Sequence, residues 1–268
     1  DFQLGDVGIT ANRVLSSRDV GLAAAMNVPW LTVARRPRIA LLATGDEIVR
    51  PGEPVGPNQI ISSNTIALMG LIKASGGGAI DLGIASDDEA SLRALAAGAR
   101  GADMLVTLGG ASVGDHDLVR KVLGQDGLEL DFWRIAMRPG KPLIFGSIGE
   151  TPMMGMPGNP VSSLVCGIVY LRPAVRAMLG LDPHAASQTA RLGQDLPGND
   201  LRQDYLRATA SLNEDGETVV TPFDKQDSSM LSRLAKADCL ILRAPHADPA
   251  KAGERVEILP LSGETTGI

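Results

Sequence analysis

The chain has 268 residues, room for roughly one large domain or two to three small ones, and its 44% hydrophobic and 21% charged residues are ordinary for a globular protein. A net charge of -6 argues against a general nucleic-acid or anionic-membrane partner, since both need a basic face. Aromatic residues at 3% leave little for a stacking platform on single-stranded nucleic acid.

Residues 1–36 read as the remnant of a preceding domain and a linker. An amphipathic run from Ser16 to Met26 predicts a short helix, capped by Ser17 or Asp19 and closed by Asn27. Arg35-Arg36-Pro37-Arg38 is charged and carries a helix-breaking proline, as a linker does. The sequence opens on Asp1 without Met and reads like the middle of a longer, truncated protein. It shows no basic-then-apolar leader. No run is expected to be long and apolar enough to span a membrane.

From 37 to 180 the pattern becomes strand, helix, strand, helix. Ile39-Ala40-Leu41-Leu42-Ala43 is a short apolar run, as in a strand buried on both faces. Ser62-Ser63-Asn64 predict a helix start, with the helix ending at Gly76-Gly77-Gly78. A strand over Ala79 to Ile84 is followed by a helix that Asp87-Asp88-Glu89 opens; Asp87 is its expected N-cap. Met104 to Leu108 predicts a third strand. Phe132–Ile135, Leu143–Phe145 and Pro152–Met154 predict three more, and Pro160 starts a helix running to about Leu179. Regular alternation means crossover connections and a mainly parallel α/β sheet in three layers. Residues 181–268 change again to period-two runs separated by turns, as in a small all-β domain, barrel or sandwich.

In parallel sheets ligands sit at the carboxyl ends of the strands, and every unusual loop here follows a predicted strand. Thr44-Gly45-Asp46-Glu47 offers close backbone approach and carboxylate oxygens. Asp87 closes the second strand. Gly109-Gly110-Ala111-Ser112-Val113-Gly114-Asp115-His116-Asp117 can form a nest of N–H groups for an oxyanion, with Asp115 and Asp117 able to ligate Mg²⁺. It lacks the Gly-Lys-Ser/Thr of a P-loop. Arg134 and Arg138-Pro139-Gly140-Lys141-Pro142 bring three cations into a short span, suited to gripping oxyanions. Pro157-Gly158-Asn159-Pro160 is a rigid strand-to-helix turn; Asn159 can bond a ligand or its own turn. Cys166 and Cys239 have neither metal nor disulfide spacing and read as two buried thiols in a reducing compartment. With three histidines and no Ser-His-Asp or Cys-His arrangement, the chemistry points to charge stabilisation by a metal and basic residues.

Taken together and in this order, these loops resemble the molybdopterin molybdenumtransferase family, MoeA-like and related to the C-terminal part of gephyrin. The resemblance implies a cytoplasmic transferase that inserts molybdenum from molybdate into adenylylated molybdopterin, with Mg²⁺ assistance and release of AMP. Carried over by position, it assigns the acidic, metal-holding roles to Glu47, Asp87 and Asp117. It places the basic roles on Arg134, Arg138 and Lys141; many relatives carry lysine at the first two. Thr44, Gly45, Asp46, the glycine loop (Gly109, Gly110, Ser112, Gly114, Asp115) and Pro157 to Pro160 would border the cofactor. It also implies a homodimer in the full-length protein and exchange with a molybdopterin adenylyltransferase. The rival readings are that adenylyltransferase itself, which shares the α/β domain, and a non-catalytic scaffold of the gephyrin type.

Overall fold

The computed structural model describes residues 2–109, 118–125, 127–184 and 187–261. Helix α1 (Ser17–Ala25) starts at Ser16, one residue before the predicted caps. Ser16 and Asp19 form a reciprocal capping box, a device that typically stabilises a helix start by about 1 kcal/mol. Asn27 sits at φ 58°, the left-handed position that closes a helix.

The α/β part follows as β1 (Arg38–Thr44), β2 (Ile48–Val49), β3 (Ile60–Ile61), α2 (Asn64–Ala74), β4 (Gly78–Ala85), α3 (Glu89–Ala96), β5 (Met104–Leu108), α4 (Leu118–Gln125), β6 (Leu128–Trp133), β7 (Met137–Arg138), β8 (Ile144–Ile148), β9 (Thr151–Met156), α5 (Pro160–Cys166) and α6 (Arg172–Met178). One sheet runs in the order β4-β1-β5-β9-β8-β6. The first four strands are mutually parallel; β8 is antiparallel to β9, and β6 to β8. The sheet is therefore mixed, with four adjacent parallel strands and two antiparallel pairings at one edge.

Strand β1 shows why its sequence is apolar throughout. Ile39, Leu41 and Ala43 enter one core with α2, α5 and α6, while Ala40 and Leu42 enter another with α3 and α4. Complete burial of such side chains contributes about 1.5–3 kcal/mol each for the larger ones, and it produces the three predicted layers.

Helices α5 and α6 join through one π turn, Gly167–Leu171, into a continuous helix. This corrects one expectation. Pro160–Met178 spans 19 residues with mean hydropathy 1.3, long and apolar enough to cross a membrane by length and composition. Half of it is buried, with Val161, Val165, Leu171 and Val175 in the first core. Packing accounts for the apolar composition.

The remaining elements are β10 (Gln188–Leu192), β11 (Gln203–Leu212), β12 (Thr218–Pro222), a single helical turn α7 (Leu231–Leu234), β13 (Cys239–Arg243) and β14 (Arg255–Pro260). Strand β12 pairs with both β10 and β11, so the order β12-β10-β14-β13-β11 closes on itself. The predicted barrel-or-sandwich is a five-stranded barrel. Cys239 and Ile241 point into it, whereas Leu240 packs outward against the core of the α/β part. Both cysteines are buried thiols. The two-residue strand β7 leaves the α/β part and adds to β11 in parallel, Met137 and Arg138 opposite Gln203 and Asp204.

Candidate functional site

Because β4, β1, β5 and β9 are parallel and adjacent, their carboxyl ends share one edge, which places Asp87, Thr44–Glu47, Gly109 and Pro157–Pro160 side by side. The segment between β6 and β8, which carries Arg134 to Lys141, leaves the same edge, since Trp133 faces Ile144 and Ile144 faces Gly155. A cleft of 690 Å³ opens there, walled by Glu47, Ser62–Asn64, Gly109, Pro157–Pro160 and Ser229. An adjoining cleft of 470 Å³ takes Gly45, Asp46 and Arg50 on the far side of Ile48. Thr44 is buried behind them, its hydroxyl 3.5 Å from the Leu108 carbonyl.

Gly109 is fixed by geometry. Its φ is +85°, and a Cβ there would lie 2.9 Å from the Thr44 carbonyl oxygen. Only glycine lets the ends of β1 and β5 approach this closely. On the other side of the cleft, Asn64 does not cap α2. Its Nδ2 donates to the Gly158 carbonyl at 2.7 Å, while Asn159 Nδ2 donates to Ser228 Oγ at 3.0 Å and Val161 N–H to the Ser228 carbonyl at 3.1 Å. The proline loop is thus pinned from both flanks.

Asp88, not Asp87, caps α3, accepting from Ser91 N–H at 2.8 Å. Asp87 is left for the strand ends. Its N–H donates to Asp46 Oδ1 at 3.1 Å, and Asp46 N–H donates to Asp87 Oδ2 at 3.4 Å. The Glu47 carboxylate folds back over Gly45, 2.4–2.7 Å from where a Cβ would stand. All three acids are exposed. Among the described residues no three or more His, Cys, Asp or Glu side chains group as a metal cluster. The strand ends offer a held carboxylate pair, Asp46 and Asp87, with Glu47 next in sequence and lining the neighbouring cleft. That donor set fits Mg²⁺, which takes one or two carboxylates and completes its shell with water and phosphate oxygens.

The basic residues divide. Arg134 turns the chain out of β6 at φ 70°, and its guanidinium lies 4.0 Å over the Trp133 ring. Lys141 is exposed beside Pro142, which the structure places in the cleft wall. Arg138 is paired with the barrel. Its guanidinium donates to Asp204, to Asp200 at 3.1 Å and to Asn199 at 3.3 Å. The charge is matched because β7 pairs with β11 and sets the side chain over these acids. Asp200 is held down to about pKa 2, first by the Arg202 guanidinium hydrogen bond, with Arg138 adding to it.

Gly110, Ser112, Gly114, Asp115 and Asp117 lie outside the described residues. The site also contains residues that the sequence reading missed, namely Asn64, Ser228 and Ser229. Their only signal was polarity, in Ser62-Ser63-Asn64 beside a helix start and in Gln226-Asp227-Ser228-Ser229 after β12.

A mixed α/β sheet with glycine, acidic and proline loops on one edge, followed by a small barrel, defines the molybdopterin-binding class. The family model described as "Probable molybdopterin binding domain" matches residues 40–177, and that of the "MoeA C-terminal region (domain IV)" matches 189–261. The chain belongs to the MoeA-type molybdopterin molybdenumtransferase family. It is 32% identical over 269 residues to the molybdopterin molybdenumtransferase of Haemophilus influenzae, covering 98% of this chain and 65% of that protein. It is 36% identical over 184 residues to that of a Nostoc species, covering 67% of this chain and 42% of the relative. The crystal structure of the MoeA molybdopterin biosynthesis protein of Pyrococcus horikoshii superposes with a TM-score of 0.81 at 30% identity, over 96% of this chain and 62% of that one. The chain thus spans less than two thirds of the length of these relatives. The match to the MoeA C-terminal region also answers the rival reading as a stand-alone adenylyltransferase domain.

Proposed function

We propose that the protein carrying this chain inserts molybdenum from molybdate into adenylylated molybdopterin and releases AMP. The observation that carries the reading is a 690 Å³ cleft at the carboxyl ends of the parallel strands, walled by Glu47, Gly109 and the proline loop, with the Asp46–Asp87 pair on the same sheet edge. Asp87 and Glu47, with Asp46 bridging them, would hold Mg²⁺, which supplies charge neutralisation at the pyrophosphate. Asp46 and Asp87 fix each other's backbones, so the acids are aimed before ligand arrives. Gly158 and Asn159 are held by Asn64 and Ser228 and form one wall of the cleft. Lys141 and Arg134 attract oxyanion charge. The roles of Gly110, Ser112, Gly114, Asp115 and Asp117 rest on the family resemblance.

A cytoplasmic homodimer, fed by a molybdopterin adenylyltransferase, completes the proposal. The dimer alone draws support from the first 33 residues, which hold nine of the nineteen exposed large apolar side chains among those described, Trp30 at 87% among them. Such a concentration marks a covered surface. The test is AMP release by the full-length protein from adenylylated molybdopterin with Mg²⁺, with and without molybdate. Molybdate-dependent release is expected. Ligand binding without any release would favour the scaffold reading instead.

A further inference from the structure

The barrel holds the basic loop of the cleft through one ion-pair cluster. Asp204 is 3% exposed and lies at the start of β11. Its Oδ2 accepts from Arg138 Nη2, and its Oδ1 is buried without a hydrogen-bond partner. Asp200 and Asn199 take the remaining reach of the same guanidinium. The backbone reinforces the contact. Gln203 N–H donates to the Ala136 carbonyl at 2.8 Å, and β7 pairs with β11 for two residues. Lys141 lies three residues beyond Arg138 in a tight loop, with Ile135 N–H on the Lys141 carbonyl and Leu143 N–H on the Gly140 carbonyl, both near 3 Å. The underside of that loop is closed as well. Gly140 has φ +123°, and a Cβ there would lie 2.5 Å from the Cys166 sulfur.

We propose that Arg138 is a positioning residue rather than an oxyanion ligand, and that Asp204 of the barrel, assisted by Asp200, sets the Lys141 loop through it. Arg138 reaches two carboxylates and an amide oxygen through three of its five N–H donors, both of those on Nη2 among them, so the barrel sets its orientation. A buried carboxylate with one cationic partner holds that partner in place. The barrel is then a functional part of the oxyanion side of the cleft. The inference rests on the proposed molybdate-binding role, and its test separates the two.

The first readout needs no ligand. Hydrogen–deuterium exchange across residues 134–143 is compared in the wild type, Asp204→Asn, Arg138→Met and the double variant, with β5 and β13 as references. Exchange in that loop is expected to rise at least tenfold in each single variant and no further in the double, while the reference strands keep their protection. The second readout is molybdate affinity by calorimetry in the full-length protein. Each single variant is expected to weaken it about tenfold, again without addition in the double. A direct oxyanion role for Arg138 predicts the reverse for Asp204→Asn, which frees the guanidinium and leaves affinity equal or tighter; that result overturns the proposal. So does unchanged exchange in Asp204→Asn, or raised exchange with unchanged affinity. Asp200→Asn, at a half-exposed carboxylate, provides a milder variant should Asp204→Asn unfold the barrel, and the same directions are expected of it. If the wild type binds no molybdate, the proposed function fails, and the exchange experiment still decides the clamp.

Discussion

Gly109→Ala tests whether the cleft depends on the close approach of two strand ends. The new methyl group must accept φ +85° and a contact of 2.9 Å to the Thr44 carbonyl oxygen and 3.3 Å to its hydroxyl. The left-handed conformation costs an L-residue about 1–2 kcal/mol. The overlap is with backbone, so β1 or β5 must shift, at a further cost of about 1–3 kcal/mol. Together these give a destabilisation of roughly 2–5 kcal/mol, a fall in Tm of about 4–20 °C for a chain of this size. The shift also moves Thr44, and with it Gly45 to Glu47, so AMP release should fall too. Gly124→Ala is the matched control. Gly124 lies in α4 with open space where a Cβ would be built, so alanine there should be neutral or stabilise by up to about 1 kcal/mol. Calorimetry on both variants decides the matter. A Gly109→Ala protein that melts within about a degree of wild type would refute the reasoning, as would an equal loss in Gly124→Ala.

Arg207→Met should destabilise the barrel by about 3 kcal/mol, because the buried guanidinium bonds Gln226 Oε1 at 3.1 Å and the carbonyls of Asp227 and Met230 at 3.0 and 3.3 Å. The same segment carries Ser228 and Ser229, so urea denaturation and AMP-release assays should fall together. A second prediction concerns acid. Asp103 is held down to about pKa 2, chiefly by the Arg35 hydrogen bond. Its folded pKa lies below the unfolded one, so its contribution is complete above about pH 4 and is lost as pH falls from there through about 2. After discounting for the exposed Arg35, it amounts to about 1 kcal/mol. Asp103→Asn should flatten that part of the stability–pH curve, and an unchanged acid limb would refute the assignment.

The sheet core was legible because a strand buried on both faces has a local signature, the unbroken run Ile39 to Ala43, and the strand-end loops were legible because glycine, proline and acids punctuate them. Three features were not. The reversal at β8 and β6 depends on pairing across the sheet, which leaves no mark in a strand of five or six residues. The separation of Asp87 from Asp88 turns on one residue of helix phase, and either could have capped α3. Arg138 looked like a free cation because its partners lie 61–66 residues away in the barrel. No window of sequence around it contains them. The apolar helix Pro160–Met178 is a similar case, since composition alone does not distinguish core packing from lipid.

The strand order constrains how ligand charge can be distributed. The acids sit at the ends of β4 and β1, the glycine and proline loops at β5 and β9, and the cations at β8 and β6. Neighbouring strands lie about 4.8 Å apart, so from β1 to β8, three spacings, is about 14 Å, and from β4 to β6, five spacings, about 24 Å. On that spacing, a Mg²⁺ held by the acids as proposed and an oxyanion at Lys141 would be separate sites rather than one compact one. An extended ligand such as a nucleotide-linked pterin can span the edge, with its pyrophosphate at the acids and the oxyanion at the cations. The two ends should therefore be separable by mutation. Glu47→Gln or Asp87→Asn should weaken Mg²⁺-dependent AMP binding and slow turnover by about 10²-fold if the acids act on transition-state charge, while molybdate affinity holds. Lys141→Ala should weaken molybdate and leave Mg²⁺-dependent AMP binding intact. Calorimetric titration of each ligand into each variant gives the six affinities. If Lys141→Ala lowers both equally, the two ends are one compact site, and the distances along the sheet edge do not govern binding.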